Sequence, residues 1–351
     1  MSGTVRHLLP GVFILFLIPQ AWAGDPCSLG AEALSRKALS AAETYLKQCL
    51  DAHPEQIFPY LQLCAVYQLQ GNAEALHRIA LEGLKRFPAE KRFYLTVGNR
   101  AGQDGRYERA VEIFSEGFRR WPDDERLRKG LAGAHVGLGM EVLNKGNNRL
   151  AEEHLRRATE LDPEDVEAHL NRGRSLHNLN RSVEALAEFD KVLALARSLP
   201  LTRFHRGMVL YELGEYDAAI EDLRREVESN PEYPPSYLFR GLALIAKGEW
   251  AGALTDLDIA AQRMPENARA QYGRARCLRQ LGKNREAEEG LRKTMELDPS
   301  DPGPVNALAR LLLESGRAEE AQQMFQKSAE LSKKQRSAAP GEIRYESSKP
   351  E

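Results

Sequence analysis

PEYPPSYLFRGLALIAKGEWAGALTDLDIAAQRMP, residues 231–265, begins and ends on proline and holds two helix-compatible runs separated by the turn signal Gly248-Glu249. Pro231 and Pro265 are 34 residues apart, and the same step leads on to Pro299. It also separates Pro54, Pro88 and Pro122. A fixed period of this size is the signature of stacked repeats. Pro163 lies 41 residues after Pro122, so seven residues are added there; Arg197 stands in the next proline's place, and 34 more residues reach Pro231. Seven residues are about two helical turns. The spacing therefore predicts a longer first helix over roughly Glu125 to Lys145, absorbing the addition without breaking the array.

Within the quoted unit, Gly241 is the eighth residue, Ala253 the twentieth and Leu257 the twenty-fourth when counting starts at Pro234. The eighth position is small or compact throughout: Cys64, Gly98, Gly139, Gly173, Gly207, Ala275 and Ala309. The twentieth is usually Ala, as at Ala42, Ala110, Ala151, Ala185, Ala219, Ala287 and Ala321. Four residues on comes Leu or Phe: Leu46, Phe114, Leu155, Phe189, Leu223, Leu291 and Phe325. Antiparallel helices approach closely only where facing side chains are small, so the two small positions are expected at the contact within a pair. The large residue is expected to fill the space between pairs.

This pattern resembles the tetratricopeptide repeat family: a small residue, an Ala, an aromatic or Leu four residues further, and a closing Pro. The likeness implies an all-α chain, a right-handed α-solenoid (superhelix) of about nine helix-turn-helix units. These run 23–56, 57–90, 91–124, 125–165, 166–199, 200–233, 234–267, 268–301 and 302–335, so that the array occupies 24–336 of the mature chain. The chain departs from the family in lacking the fourth-position Trp, in having Leu76 where the small Ala belongs, and in showing only the second half of its first unit clearly.

Residues 1–23 differ in composition from the rest. Arg6 precedes the apolar run Leu8 to Ile18, and Ala21-Trp22-Ala23 follows. This is the plan of a secretory signal peptide cleaved after Ala23, which would export the chain to a periplasm or the extracellular space. The alternative is a retained N-terminal membrane anchor, and no second segment approaches the ~20 apolar residues of a membrane span. Cys27 lies early in the first helix of its unit and Cys49 late in the second, a spacing that levels them in an antiparallel pair. A Cys27–Cys49 disulfide is expected, with two free buried thiols as the alternative. Cys64 and Cys277 are more than five units apart and are expected as small core residues. At the other end, Lys333-Lys334-Gln335-Arg336 suits a helix C-terminus, and 337–351 reads as a disordered tail or a short tether.

In the family, positions 2, 5, 6, 9, 12 and 13 of each unit face the concave side. Here the sixth and seventh units place Phe204, His205, Met208, Tyr211, Leu238, Phe239, Leu242 and Ile245 there, an apolar and aromatic strip. The eighth and ninth units add Arg269, Tyr272, Arg276, Arg279 and Arg310. Such a surface would suit a polypeptide with a hydrophobic segment and acidic residues. The competing reading is that the apolar members pack between neighbouring first helices. A second ladder, Arg172, Arg206, Arg240 and Arg274, has in its first three members an acid sixteen residues later, at Glu188, Asp222 and Asp256. These read as ion pairs within a unit, each worth under about 1 kcal/mol if largely exposed. The carboxylate clamp of some family members is not expected: around Asn171, Val136 and Met140 precede, and Leu201 and His205 follow, where cations or Asn are required.

Net charge is −2, from 49 basic and 51 acidic residues, so no electrostatic footprint for nucleic acid is present. The histidines form no HExxH and no i, i+4 pair, no Cys/His spacing suggests a metal site, and GxSxG, P-loop and dinucleotide fingerprints are absent. A non-catalytic adaptor without cofactor or small-molecule ligand, holding a protein or peptide partner in the cell envelope, is the expected function. Self-association as a structural homo-oligomer, or an accessory role in an envelope enzyme or secretion assembly, are the alternatives.

Overall fold

A computed structural model describes residues 24–338 except residue 197, and among these residues the secondary structure is entirely helical. The predicted signal segment and residues 339–351 of the predicted tail lie outside the described residues. The chain divides into two compact units, one ending at Asn171 and one beginning at Arg172.

The first unit contains α1 (Pro26–Ser35), α2 (Leu39–Ala52), α3 (Ile57–Gln70), α4 (Ala73–Arg86), α5 (Lys91–Gln103), α6 (Tyr107–Arg120), α7 (Glu125–Asn144) and α8 (Asn148–Leu161). The boundary falls within α9 (Val166–Asn178). The second unit continues with α10 (Ser182–Leu195), α11 (Thr202–Glu212), α12 (Tyr216–Ser229), α13 (Pro234–Lys247), α14 (Trp250–Arg263), α15 (Ala268–Gln280), α16 (Asn284–Leu297), α17 (Pro302–Glu314) and α18 (Ala318–Ala338). At twenty residues, α7 takes up the seven-residue addition, as its spacing predicts.

Reversing direction between two paired helices requires one left-handed residue. Gly71, Gly105, Gly146, Gly214, Gly248, Gly282 and Gly316 supply it with φ between 70 and 81°. Lys37 and Asn180 adopt it at the corresponding turns of their pairs. Within a pair, the closest approach lies one turn beyond the predicted small-to-small contact. A methyl group added at Gly241 would come 2.7 Å from Leu257 Cγ and 3.3 Å from the Ala253 carbonyl oxygen. The eighth position is small because the large residue sixteen positions later lies over it. Leu46, Leu155, Phe189, Leu223 and Leu257 are consequently fully buried, each stabilising its pair by about 1.5–3 kcal/mol relative to exposure.

The missing fourth-position Trp is replaced by residues that make one shared contact. The Tyr60 hydroxyl is shared between the Pro54 carbonyl (3.3 Å) and the Glu82 carboxylate (3.2 Å), and Tyr94 repeats this with Pro88 and Glu116. His169 Nε2 and Gln271 Nε2 donate to the carbonyls of Pro163 and Pro265. Each thus ties the start of a first helix to the proline turn before it. Where Arg197 replaces that proline, the chain enters α11 through Leu201 in a left-handed conformation (φ 65°), its N–H donating to the buried Glu226 carboxylate.

Cys27 in α1 and Cys49 in α2 are joined, with Cα atoms 4.8 Å apart. Closing a loop of this length is worth about 3 kcal/mol. Because solenoid contacts are nearest-neighbour, reduction or C27S/C49S should release about that much stability from α1 and α2. Amide hydrogen exchange with and without reductant checks this; equal protection in both conditions would show that packing alone holds the pair. Cys64 and Cys277 are free and buried, and burial pushes their thiols up to about 12 and about 11. At the C-terminal end α18 reaches Ala338, so residues 337–338, expected in the tail, are helical. Gln335 Nε2 donates to the Ser300 carbonyl and the Ser337 hydroxyl to that of Lys334, tying this last turn down.

Candidate functional site

The predicted apolar strip is only partly accessible. Phe204, Leu238, Leu242 and Ile245 are buried, which removes them from any surface a partner could touch. The Phe204 ring lies edge-on to Tyr233 and Phe239, with centroids 5.0 and 5.7 Å away. Leu238, Leu242 and Ile245 pack in the core that joins α13 and α14 to Ala270 and Cys277 of α15. Neighbouring first helices sit close enough to consume these side chains themselves. His205, Met208, Tyr211 and Phe239 remain half-buried. The Arg269 guanidinium covers part of what is left, 4.9 Å from the Phe239 ring and 5.7 Å from Tyr211.

The basic residues behave differently. Arg276, Arg279 and Arg310 are brought together from α15 and α17 around a cavity of about 470 Å³, with Tyr272, Asn306, Ala307 and Pro302 also in its wall. Arg276 lies 5.8 Å over the Tyr272 ring. Burial pushes the Tyr272 hydroxyl up, opposed by the three guanidinium charges. Among the described residues none of Arg269, Arg276, Arg279 and Arg310 forms an ion pair with a carboxylate.

Elsewhere in the second unit, Arg172, Arg206, Arg240 and Arg274 are neutralised. Arg172 reaches Glu188 (3.0 Å), Arg206 reaches Asp222 (2.6 Å) and Arg240 reaches Asp256 (2.6 Å), the predicted sixteen-residue pairs. Arg206 also holds Asp190, and Arg274 holds Asp258, each from the preceding second helix. The ladder therefore stitches successive pairs together. Glu188, Asp222 and Asp256 are buried, so the value of under about 1 kcal/mol for a largely exposed pair does not apply to them, whereas Asp190 and Asp258 are exposed. Against this background, Arg276, Arg279 and Arg310 gather three guanidinium charges without a carboxylate ion pair around one cavity, while Arg269 lies over the Phe239 and Tyr211 rings.

Asn306 was legible as a cavity residue, since it occupies the fifth, inward position of its unit, but Arg310 alone was read from that helix. Ser328 and Ser332 also line the cavity and come from α18, a second helix that the inward-facing pattern does not address. Both hydroxyls are engaged, Ser328 donating to the Pro302 carbonyl and Ser332 to that of Ser328.

Tetratricopeptide repeat models match residues 136–200, 202–233, 244–303 and 304–327, together about half of the chain. No curated protein sequence matches it. Among solved structures, YrrB, described as a TPR protein with an unusual peptide-binding site, is 22% identical over 50% of this chain and 91% of its own, with a TM-score of 0.45. MamA MSR-1 C2 is 23% identical over 48% of this chain and 98% of its own, at 0.44. The Cut9–Hcn1 hetero-tetramer of the APC/C is 17% identical at 0.50, covering 86% of this chain, which spans little more than half (56%) of that one. At such identity the last likeness concerns the fold alone, the same α-solenoid that the helix pairs build here. With its 34-residue period, its small-residue contacts and these family matches, the chain belongs to the tetratricopeptide repeat family.

Proposed function

We propose that this protein is a non-catalytic scaffold that holds an acidic segment of a partner polypeptide against the first helices α15 and α17. The observation that carries this reading is the set of arginines without carboxylate partners, three of them around one cavity, in a unit where Arg172, Arg206, Arg240 and Arg274 on other positions of the first helices are each paired with an acid. A bound carboxylate would supply the missing charge through charge-assisted hydrogen bonds. Phe239 and Tyr211, half-buried beside Arg269, and the half-buried Met208 offer limited apolar contact for a flanking side chain. We further propose an exported, cell-envelope setting, supported by the N-terminal apolar run and by the Cys27–Cys49 disulfide, a bond typical of oxidising compartments.

The test places a photo-crosslinking amino acid at the exposed Arg276 in the native host, with Arg279→Glu/Arg310→Glu in the same background as the control. One dominant foreign protein, lost in the control, is the expected result. Crosslinks only to other copies of the chain would favour self-association, and crosslinks indifferent to the charge reversal would sink the acidic-segment reading. For a partner peptide so identified, Arg279→Ala and Arg310→Ala should each weaken binding by about 1.5 kcal/mol, roughly tenfold, in a titration.

A further inference from the structure

The helix pairing places two histidines together that sequence spacing keeps apart. His135 lies on α7 and His154 on the facing α8, nineteen residues later. Their Nδ1 atoms are 3.2 Å apart, and the rings are offset-stacked with centroids 5.4 Å apart. Both side chains are half-buried, so water and small ions reach them.

Two imidazole nitrogens bound to one tetrahedral zinc, each about 2.0–2.1 Å from the ion, lie about 3.3 Å from each other. The observed separation is already that of two ligands on one metal, on helices held rigidly by the Gly139–Leu155 contact within the same pair. We propose that His135 and His154 form a two-nitrogen binding site for a divalent transition ion of the Cu²⁺ or Zn²⁺ class, the ions that imidazole suits.

Without metal, one Nδ1–H donates to the other Nδ1. Ligation through both atoms requires the donor ring to carry its proton on Nε2 instead, a tautomeric change with no net proton release. The surroundings keep both rings in the neutral form that a metal needs: burial lowers the affinity of each for a proton, and for His135 the second ring and Arg157 add to that effect. Arg157 is itself engaged by Glu160 at 3.1 Å. The charges of Glu108 and Glu153 act on His154 from α6 and α8, and offset part of the repulsion a cation would meet. Two protein ligands leave the remaining coordination positions to water. A second grouping, Asp25, Cys27 and His53, carries no such site, because its sulfur is in the disulfide.

The purified chain, stripped with EDTA and titrated with Cu²⁺ alone at pH 7.4, should bind one ion with an electron paramagnetic resonance spectrum showing two imidazole nitrogens. His135→Asn and His154→Asn should each weaken binding by at least the ~10–100-fold typical of losing even an outer-shell partner. His53→Asn should leave it unchanged. Because either variant could perturb the helix pair, the unmodified chain provides a second reading: one equivalent of Cu²⁺ should broaden the imidazole proton resonances of two histidines and spare the others. No bound ion at micromolar Cu²⁺, or a two-nitrogen signal that survives in the double variant, would overturn the assignment.

Discussion

Asp256→Ala is expected to destabilise the second unit by about 3–5 kcal/mol, although the residue touches no ligand site. Asp256 is 3% exposed, and it accepts two hydrogen bonds from Arg240, from Nε at 2.7 Å and from Nη2 at 2.6 Å. The carboxylate is thus satisfied by the guanidinium in a place that water barely reaches, while the Arg240 side chain stays 19% exposed. Removing one partner leaves the other charge desolvated and unpaired, and that penalty exceeds the net worth of the pair. Replacing both, as Arg240→Met/Asp256→Leu, should recover most of the loss, because apolar side chains of similar size tolerate the same site. The contrast within the protein is Arg181–Glu184, where both members are exposed and removal should cost under about 1 kcal/mol. Urea unfolding gives the magnitudes, and hydrogen exchange should place the loss in α13, α14 and their immediate neighbours. If Asp256→Ala costs less than about 1 kcal/mol, the pair is effectively solvated and the ladder is not structural.

That ladder also shows what the sequence could and could not convey. Its partners were legible because sixteen residues is a local distance across one helix pair, and the spacing places Arg240 opposite Asp256 whatever the rest of the chain does. How deeply the acid is buried was not legible, since that depends on neighbouring pairs. The same division explains the apolar strip. The repeat identified Leu238 and Leu242 as lying on the inward side of α13, but the approach of α15 decides that they are core. Arg276 and Arg310 could be read as cavity residues because their long, charged side chains stay at the surface of any packing. His135 and His154 were missed for a third reason. They lie on two different helices nineteen residues apart, so no i, i+4 rule applies and nothing in the repeat pattern singles out that pair of positions.

Acidification from pH 7 to 5 should destabilise the chain through His205 before most carboxylates titrate. His205 is stacked against Phe189, with centroids 5.9 Å apart, and lies edge-on to Phe204 at 5.2 Å. Burial pushes its pKa down from 6.5 to about 4, and the charges of Arg174 and His177 act in the same direction. The native state therefore keeps a neutral imidazole where the unfolded chain takes up a proton. The cost is absent above about pH 6.5, grows as the pH falls and is complete below about pH 4. At 1.36 kcal/mol per pH unit it reaches about 2 kcal/mol at pH 5 and about 3 kcal/mol at pH 4. His135, also lowered to about 4, adds a smaller cost because water reaches it more freely. Carboxylates such as Glu90, held below the usual range by hydrogen bonding to Arg92, still carry their charge at pH 5 and contribute little over this window. His205→Leu keeps an apolar group of similar size between the rings and should cost under about 1.5 kcal/mol at pH 7. Its stability should then fall by about 2 kcal/mol less than that of the unmodified chain between pH 7 and 5. Urea midpoints measured at both pH values separate the two cases: parallel losses in the variant and the unmodified chain would mean that the proton is taken up elsewhere.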